Sequence, residues 1–360
     1  MMKLQNDYKT LARENRSRLI KKTVRHPLFS YVVLTLALMV IQLLFIFTED
    51  IIPLNVTQAI MQTMIYVVAG LGVGILLMLA GLISFATGAF IGIGTYIAAF
   101  FLKNTQIPFT LILVISILSG IGIGVIVGFI SLRVRGMHLI IITIALATIL
   151  FTLFALPNGF TGGPLGISRV PFPKLAYLLQ TSRDTVYFVV LGVMFLLIVI
   201  TLNIINSPMG RAMLSMSSSE ALSQAMGIRI LKYRVLAFVI ATVYALLAGV
   251  LYVSYMQSSI YATWSSALAM NILIAVILGG TARPSGVLIG SFVIFTLDYA
   301  FLKNIQFFRQ YPQASLFFNG IIIIIIIAKY PGGLIRLLSS LTQGMRGLTN
   351  KARMYKYGPK

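Results

Sequence analysis

The residues that could carry covalent chemistry are few and far apart. The chain has two histidines, His26 and His138, seven acidic residues and no cysteine. There is thus no thiol nucleophile or thiolate ligand, and no imidazole or carboxylate cluster at metal-ligand spacing. The sequence contains no G-x-x-x-x-G-K-[ST] phosphate loop, no H-E-x-x-H and no G-x-S-x-G elbow. No catalytic residue, metal or cofactor is expected. A membrane-embedded enzyme would need acids, histidines or cysteines gathered at one interface, and none gathers. One acid, Asp298, falls late in an apolar run, five residues before Lys303. It reads either as a contact for a cation or amine near the outer mouth, or as an interfacial acid beside Lys303. A proton-driven secondary carrier would usually show more buried carboxylates, so energy for transport is expected from outside the chain.

The elements that must position these residues are membrane helices. Of 360 residues, 59% are hydrophobic and 10% charged, whereas a soluble domain is about 25% charged. The mean hydropathy is +0.98. A helix needs about 20 apolar residues to cross a bilayer. Candidate spans are 28–47, 58–80, 87–102, 109–130, 139–156, 185–205, 235–256, 267–280, 286–302 and 315–330. The expected fold is an all-α polytopic membrane protein of about ten transmembrane helices. Spans 87–102 and 267–280 are short enough to be broken or re-entrant, which requires surrounding protein or a water-filled cavity. The first span lacks a small-residue cleavage pattern after it, at Phe47-Thr48-Glu49-Asp50, and reads as a retained helix. Three regions follow: a basic tail 1–27, a transmembrane domain 28–335 and a basic tail 336–360.

The net charge of +21 admits three meanings: nucleic acid, anionic lipid or membrane topology. With the N-terminus inside, ten spans put both termini in the cytoplasm, and 22 of the 28 basic residues fall on cytoplasmic segments. The six outside are Lys103, Arg169, Lys174, Arg183, Lys303 and Arg309. This is the positive-inside bias that sets orientation. Nucleic-acid binding would need an aromatic or groove-reading fold around the charges, and neither tail has one. The tails read as anchors to anionic headgroups of a cell (inner or plasma) membrane.

Glycines at Gly70/Gly74, Gly88/Gly92, Gly120/Gly124/Gly128 and Gly286/Gly290 recur four residues apart, a spacing that lets membrane helices approach closely. The longest cytoplasmic loop, SPMGRAMLSMSSSEALSQAMGIRILKYR (207–234), carries a different signal. Pro208 and Gly210 break the preceding span. Glu220-Ala221 to Ala225 suits a short surface helix, with Gly227 as its stop. Such a helix could insert into a cleft of a cytoplasmic partner, or be a structural linker.

This loop resembles that of the inner-membrane permease subunits of branched-chain amino-acid ABC importers. There S-P-x-G-R-A leads into an acidic-plus-alanine segment ending in G-I, and Arg211, Glu220, Ala225, Gly227 and Ile228 match. Ser217, Ser218 and Ser219 depart from it, standing where a basic residue followed by polar or acidic ones is usual. Three further blocks agree in order. GLISFATGAFIGIGTYIAA (81–99) matches at Gly81, Ser84, Ala89, Phe90, Gly92, Gly94 and Tyr96, with Thr87 replacing a histidine. RVRGMHLIIITIALATIL (133–150) with TGGPLGI (161–167) resembles the fifth span and its outer loop. LGGTARPSGVLIG (278–290) keeps Gly279, Gly280, Gly286 and Gly290, with Val287 in place of a proline and an unusual Arg283-Pro284. The resemblance covers about residues 55–335.

It implies a coupling helix at 207–234 that docks into P-loop ATPase subunits. It implies a second permease subunit, homologous or identical, and an extracytoplasmic solute-binding protein. The cargo would be a branched-chain amino acid, or urea, an amide, a sugar or a nucleoside. Discontinuous helices meeting near the midplane often form a transporter's path, and their free N-termini can hold a carboxylate. We therefore expect Ser84, Thr87, Gly88, Phe90, Gly94 and Tyr96 to line or gate the path, opposed by Gly279, Gly280, Gly286 and Gly290. The alternative is that Ser84 and Thr87 only satisfy local backbone groups. The outer loop 157–184, with Arg169, Lys174 and Arg183, would dock the binding protein by charge, or be a disordered connector.

Overall fold

Apolar runs with almost no charge leave the backbone one way to satisfy its polar groups in lipid, the α-helix. The computed structural model describes residues 29–47, 54–132, 137–157, 161–174, 182–280 and 283–301, with the single positions 310, 320, 321, 324, 333 and 334. Helix α1, Phe29–Phe47, falls in a unit of its own, Met1–Ile51. The second unit, Ile52–Lys360, carries α2 (Leu54–Ala80), α3 (Thr87–Asn104), α4 (Phe109–Leu132), α5 (Met137–Ala155) and α6 (Arg183–Asn206). It continues with α7 (Pro208–Ser218), α8 (Glu220–Ala225), α9 (Ile230–Met256), α10 (Ser266–Gly279) and α11 (Pro284–Ser291). Two short 3₁₀ turns lie at Gly163–Leu165 and Tyr261–Trp264, and a π-helical stretch, Phe292–Phe301, prolongs α11. Among the described residues, helices α2, α4, α5, α6 and α9 are long and apolar enough to cross a bilayer. The protein is an all-α polytopic membrane protein.

Helix α9 is the axis of the second unit. It packs on α2, α3 and α4, and its 27 residues would extend about 40 Å. The glycines expected to permit close approach do so. Gly120, Gly124 and Gly128 of α4 lie against Val243, Val239 and Val235 of α9, which fixes the two helices as antiparallel. On α2, Gly72 meets Ala241 and Tyr244, and Gly70 and Gly74 receive Val287 of α11. That last contact gives Val287, the residue at a position where a proline was expected, its own packing role.

The short span expected at 267–280 is α10, whose 14 residues reach about 21 Å, less than a bilayer core of about 30 Å. It folds back on α11 as a tight hairpin, with Gly279 against Gly286 and Gly290 against the Ala275 carbonyl. Pro284 occupies the first turn of α11, where its missing N–H costs nothing. Two boundaries are corrected. The cytoplasmic loop expected to run to Arg234 ends at Arg229, because Ile230–Arg234 already form the first turns of α9. The span expected at 286–302 starts at Pro284 and changes from α to π at Phe292. The span at 315–330 and both tails lie outside the described residues, apart from single positions.

Candidate coupling site and translocation path

Between α6 and α9 the chain builds a capped helix pair. Ser207 accepts from the Gly210 N–H at 3.2 Å and Pro208 fills the next position, so α7 starts immediately after α6 ends. Ser219 accepts from the Leu222 N–H at 3.3 Å and starts α8 at Glu220. The serine run that departs from the family pattern thus supplies a helix cap. Helix α8 stops as expected. Gly227 has φ +80°, its N–H donates to the Gln224 carbonyl at 2.9 Å, and the Ile228 N–H donates to Ser223 at 2.9 Å. This is the paired hydrogen-bond stop of a Schellman motif. Gly227→Val forces a β-branched residue into that left-handed conformation. It is expected to destabilise the α8–α9 turn by about 1–3 kcal/mol, visible as faster limited proteolysis after Arg229 with the rest of the chain intact.

Met213 and Met216 of α7 are buried, and α7 packs on α2, α6 and α9. Its far end touches the membrane domain at a second place. Gly81, with φ +65°, ends α2, and a Cβ there would lie 3.1 Å from the Ser217 side chain. The side opposite is open: Leu214, Leu222 and Met226 are 52%, 66% and 77% exposed. Arg211, Ala221, Ala225 and Gly227 are exposed too, and Ile228 is half-buried. Arg211 donates to the Asn206 carbonyl at 2.9 Å. Glu220 is less exposed than they are, with its side chain 36% exposed and its carboxylate ion-paired with Arg234 of α9, whose side chain is 7% exposed. Sequence reading missed Leu222 and Met226, since an apolar residue in a membrane protein carries no signal of its own. It also missed Arg234, which it counted only as a topological charge.

The chain between α2 and α3 is a non-helical break. Ser84 is buried and accepts from the Ala86 N–H at 3.3 Å; the Phe85 N–H donates to Thr143 of α5 at 3.2 Å. Thr87, Gly88, Phe90, Gly94 and Tyr96 follow on α3, all buried. A Cβ at Gly88 would sit 2.6 Å from the Ser265 carbonyl, just before α10, and one at Gly92 would strike Phe154 and Trp264. The Tyr96 ring lies 4.9 Å from that of Phe154. Gly94 and Gly249 bring α3 and α9 together, and Thr95 bonds the Gly249 carbonyl at 3.2 Å.

Gly88 faces the start of α10, while Gly279, Gly286 and Gly290 pack within the α10–α11 hairpin, which leans on α2. Helix α10 keeps one stripe open: Ala267, Met270 and Ile277 are exposed and Asn271 and Ile274 half-buried, while Ala269, Ile272, Ala275 and Val276 are buried. Of Asp298 only the backbone is described, within the π-helical stretch.

On the other end of the helices, the described part of the loop after α5, residues 161–174, is tied to its neighbours by hydrogen bonds. Thr161 donates to the Phe154 carbonyl at 2.9 Å, and Ile167 pairs with Ser259 through bonds of 2.9 and 2.8 Å. The Lys174 carbonyl accepts from the Phe109 N–H at 3.0 Å. Arg169, Lys174 and Arg183 are all exposed, with Arg183 5.8 Å from the centre of the Tyr255 ring and Leu165, at the tip, 91% exposed. Residues 158–160 and 175–181 of the loop lie outside the described ones.

The described residues of the second unit form a helical domain with glycine-packed helices and a non-helical break between α2 and α3, the architecture of a polytopic membrane protein. The sequence matches the family described as "Branched-chain amino acid transport system / permease component" over residues 55–327, and the chain belongs to that family. It is 28% identical to the high-affinity branched-chain amino acid transport system permease protein LivM of Escherichia coli, over 76% of this chain and 68% of that one. It is 27% identical to LivM of Salmonella typhimurium with the same coverage. A probable branched-chain amino acid transport permease protein LivM of Methanocaldococcus jannaschii is 25% identical over 62% of this chain and 68% of its own. No solved structure matches the chain.

Proposed function

We propose that this chain is the permease subunit of an ATP-binding cassette importer that carries branched-chain amino acids inward, with ATP hydrolysed on separate P-loop ATPase subunits. The observation that carries the proposal is the capped α7–α8 pair, which presents Leu222 and Met226 at an exposed tip and is joined at its base to α9. An apolar tip on a polar cytoplasmic element calls for a covering partner, and the ATPase cleft is that partner. Arg211, Ala221, Ala225, Gly227 and Ile228 surround the contact. The charge asymmetry supports placing the pair and both termini in the cytoplasm.

A second permease subunit, homologous or identical, completes the path. Our reading puts the open stripe of α10 on its wall, supported from behind by the buried residues Ser84, Thr87, Gly88, Phe90, Gly94 and Tyr96. The glycines Gly279, Gly280, Gly286 and Gly290 hold the α10–α11 turn that sets the stripe's position. Solute arrives on a binding protein that docks at the outer loop through Arg169, Lys174 and Arg183, around the apolar tip Leu165.

Co-expression with its ATPase, second-permease and binding-protein partners should yield one complex in which leucine-loaded binding protein stimulates ATP hydrolysis. Leucine uptake by the isolated chain, driven by a proton or sodium gradient without ATPase, would instead make it a secondary carrier.

A further inference from the structure

Four basic residues lie between α6 and the start of α9: Arg211, Arg229, Lys232 and Arg234. Three are exposed, as topology-setting charges should be, and Arg234 is not. Its side chain is 7% exposed and is ion-paired with Glu220, the first residue of α8. A buried guanidinium is costly unless a partner neutralises it, so this pair holds its two elements together firmly. Helix α8 has six residues, too few to be stable alone, and its apolar residue Leu222 points away from the membrane domain. Arg234 stands in α9, the helix that interlocks with α3 at Gly94 and Gly249 and with α4 along three glycines.

We propose that the Glu220–Arg234 ion pair is the latch that transmits displacement of the cytoplasmic helix α8 to α9. Both are positioning residues: Glu220 acts through Arg234 and makes no contact with the ATPase. A charged, hydrogen-bonded link transmits pull as well as push, whereas a greasy contact alone slides. The Gly81–Ser217 contact is the second point of attachment, at the break that leads into α3. The inference rests on the reading that α7–α8 receives the ATPase.

The experiment uses the full complex in proteoliposomes and measures leucine taken up per ATP hydrolysed, alongside recovery of the ATPase with the permease. Glu220→Gln and Arg234→Gln are each expected to keep the ATPase bound and to lower the uptake ratio about tenfold. Arg234→Lys should retain most of it. The chain has no native cysteine, so Glu220→Cys/Arg234→Cys can be bridged selectively by a short bismaleimide. Bridging should restore the ratio that the unbridged pair loses. Unchanged ratios in the single variants, loss of the ATPase from Glu220→Gln, or a bridged pair that stays uncoupled would each overturn the latch. A wild-type complex that neither retains an ATPase nor takes up leucine on ATP would instead overturn the functional reading beneath it.

Discussion

Replacing Gly94 or Gly249 with leucine is expected to abolish folded protein, while the same change at Gly122 leaves it intact. A Cβ at Gly94 would fall 2.1 Å from the Leu246 carbonyl oxygen, and one at Gly249 would fall 2.0 Å from that of Ile91. Both obstacles are backbone, so no rotamer change relieves them, and α3 and α9 must separate. Separation also breaks the hydrogen bond from Thr95 to the Gly249 carbonyl. Overpacking a core costs about 1–3 kcal/mol even where side chains can yield. Two helix backbones cannot yield that way, and the cost is then comparable with the whole stability of a domain, about 5–15 kcal/mol. Gly122 has no atom within 4 Å of its would-be Cβ. There leucine should even gain a few tenths to about 1 kcal/mol of helix propensity. Size-exclusion profiles and melting in detergent separate the outcomes. A Gly94→Leu protein that melts like wild type would mean α3 and α9 are not in backbone contact.

Leu222→Asp with Met226→Asp should leave the permease folded and monodisperse yet strip it of its ATPase. Both side chains are mostly exposed, so their replacement removes little from the chain's own core. In a docked complex they would be desolvated anchors at the centre of the contact. Truncating such anchors costs about 2 kcal/mol each, roughly thirtyfold in affinity, and burying a carboxylate in their place costs more. Recovery of ATPase on tagged permease is the measurement. Undiminished recovery would place the docking contact elsewhere on the cytoplasmic face.

These two predictions draw on different kinds of information. The helices could be read from the sequence because lipid leaves the backbone no alternative, and a run of apolar residues names its own environment. One short helix was readable too, because Glu220 and Gly227 are local signals, a first-turn acid and a stop, and each acts within a few residues of itself. The cap Ser219 and the helix Pro208–Ser218 emerged only from the structure. The boundary at Arg234 was not readable, since Lys232-Tyr233-Arg234 looks like the polar end of a loop. Glu220, across the turn, pairs with that charge where the helix has already begun and the arginine is buried.

The sequence determined what the chemistry of single residues and their near neighbours can determine. It set the membrane as solvent, the helical class of the fold and the position of the short helix Glu220–Ala225. Tertiary structure alone decided which faces meet. Glycines spaced four apart permit a close approach without naming a partner, so nothing in Gly94 pointed to Leu246, or in Gly88 to Ser265. Equally, the sequence placed Glu220 at the start of a short helix but not its carboxylate against Arg234, fourteen residues onward. Pairing between elements depends on helix lengths and crossing geometry summed over the whole bundle. No local pattern contains that sum, which is why the Glu220–Arg234 pair emerged only from the folded chain.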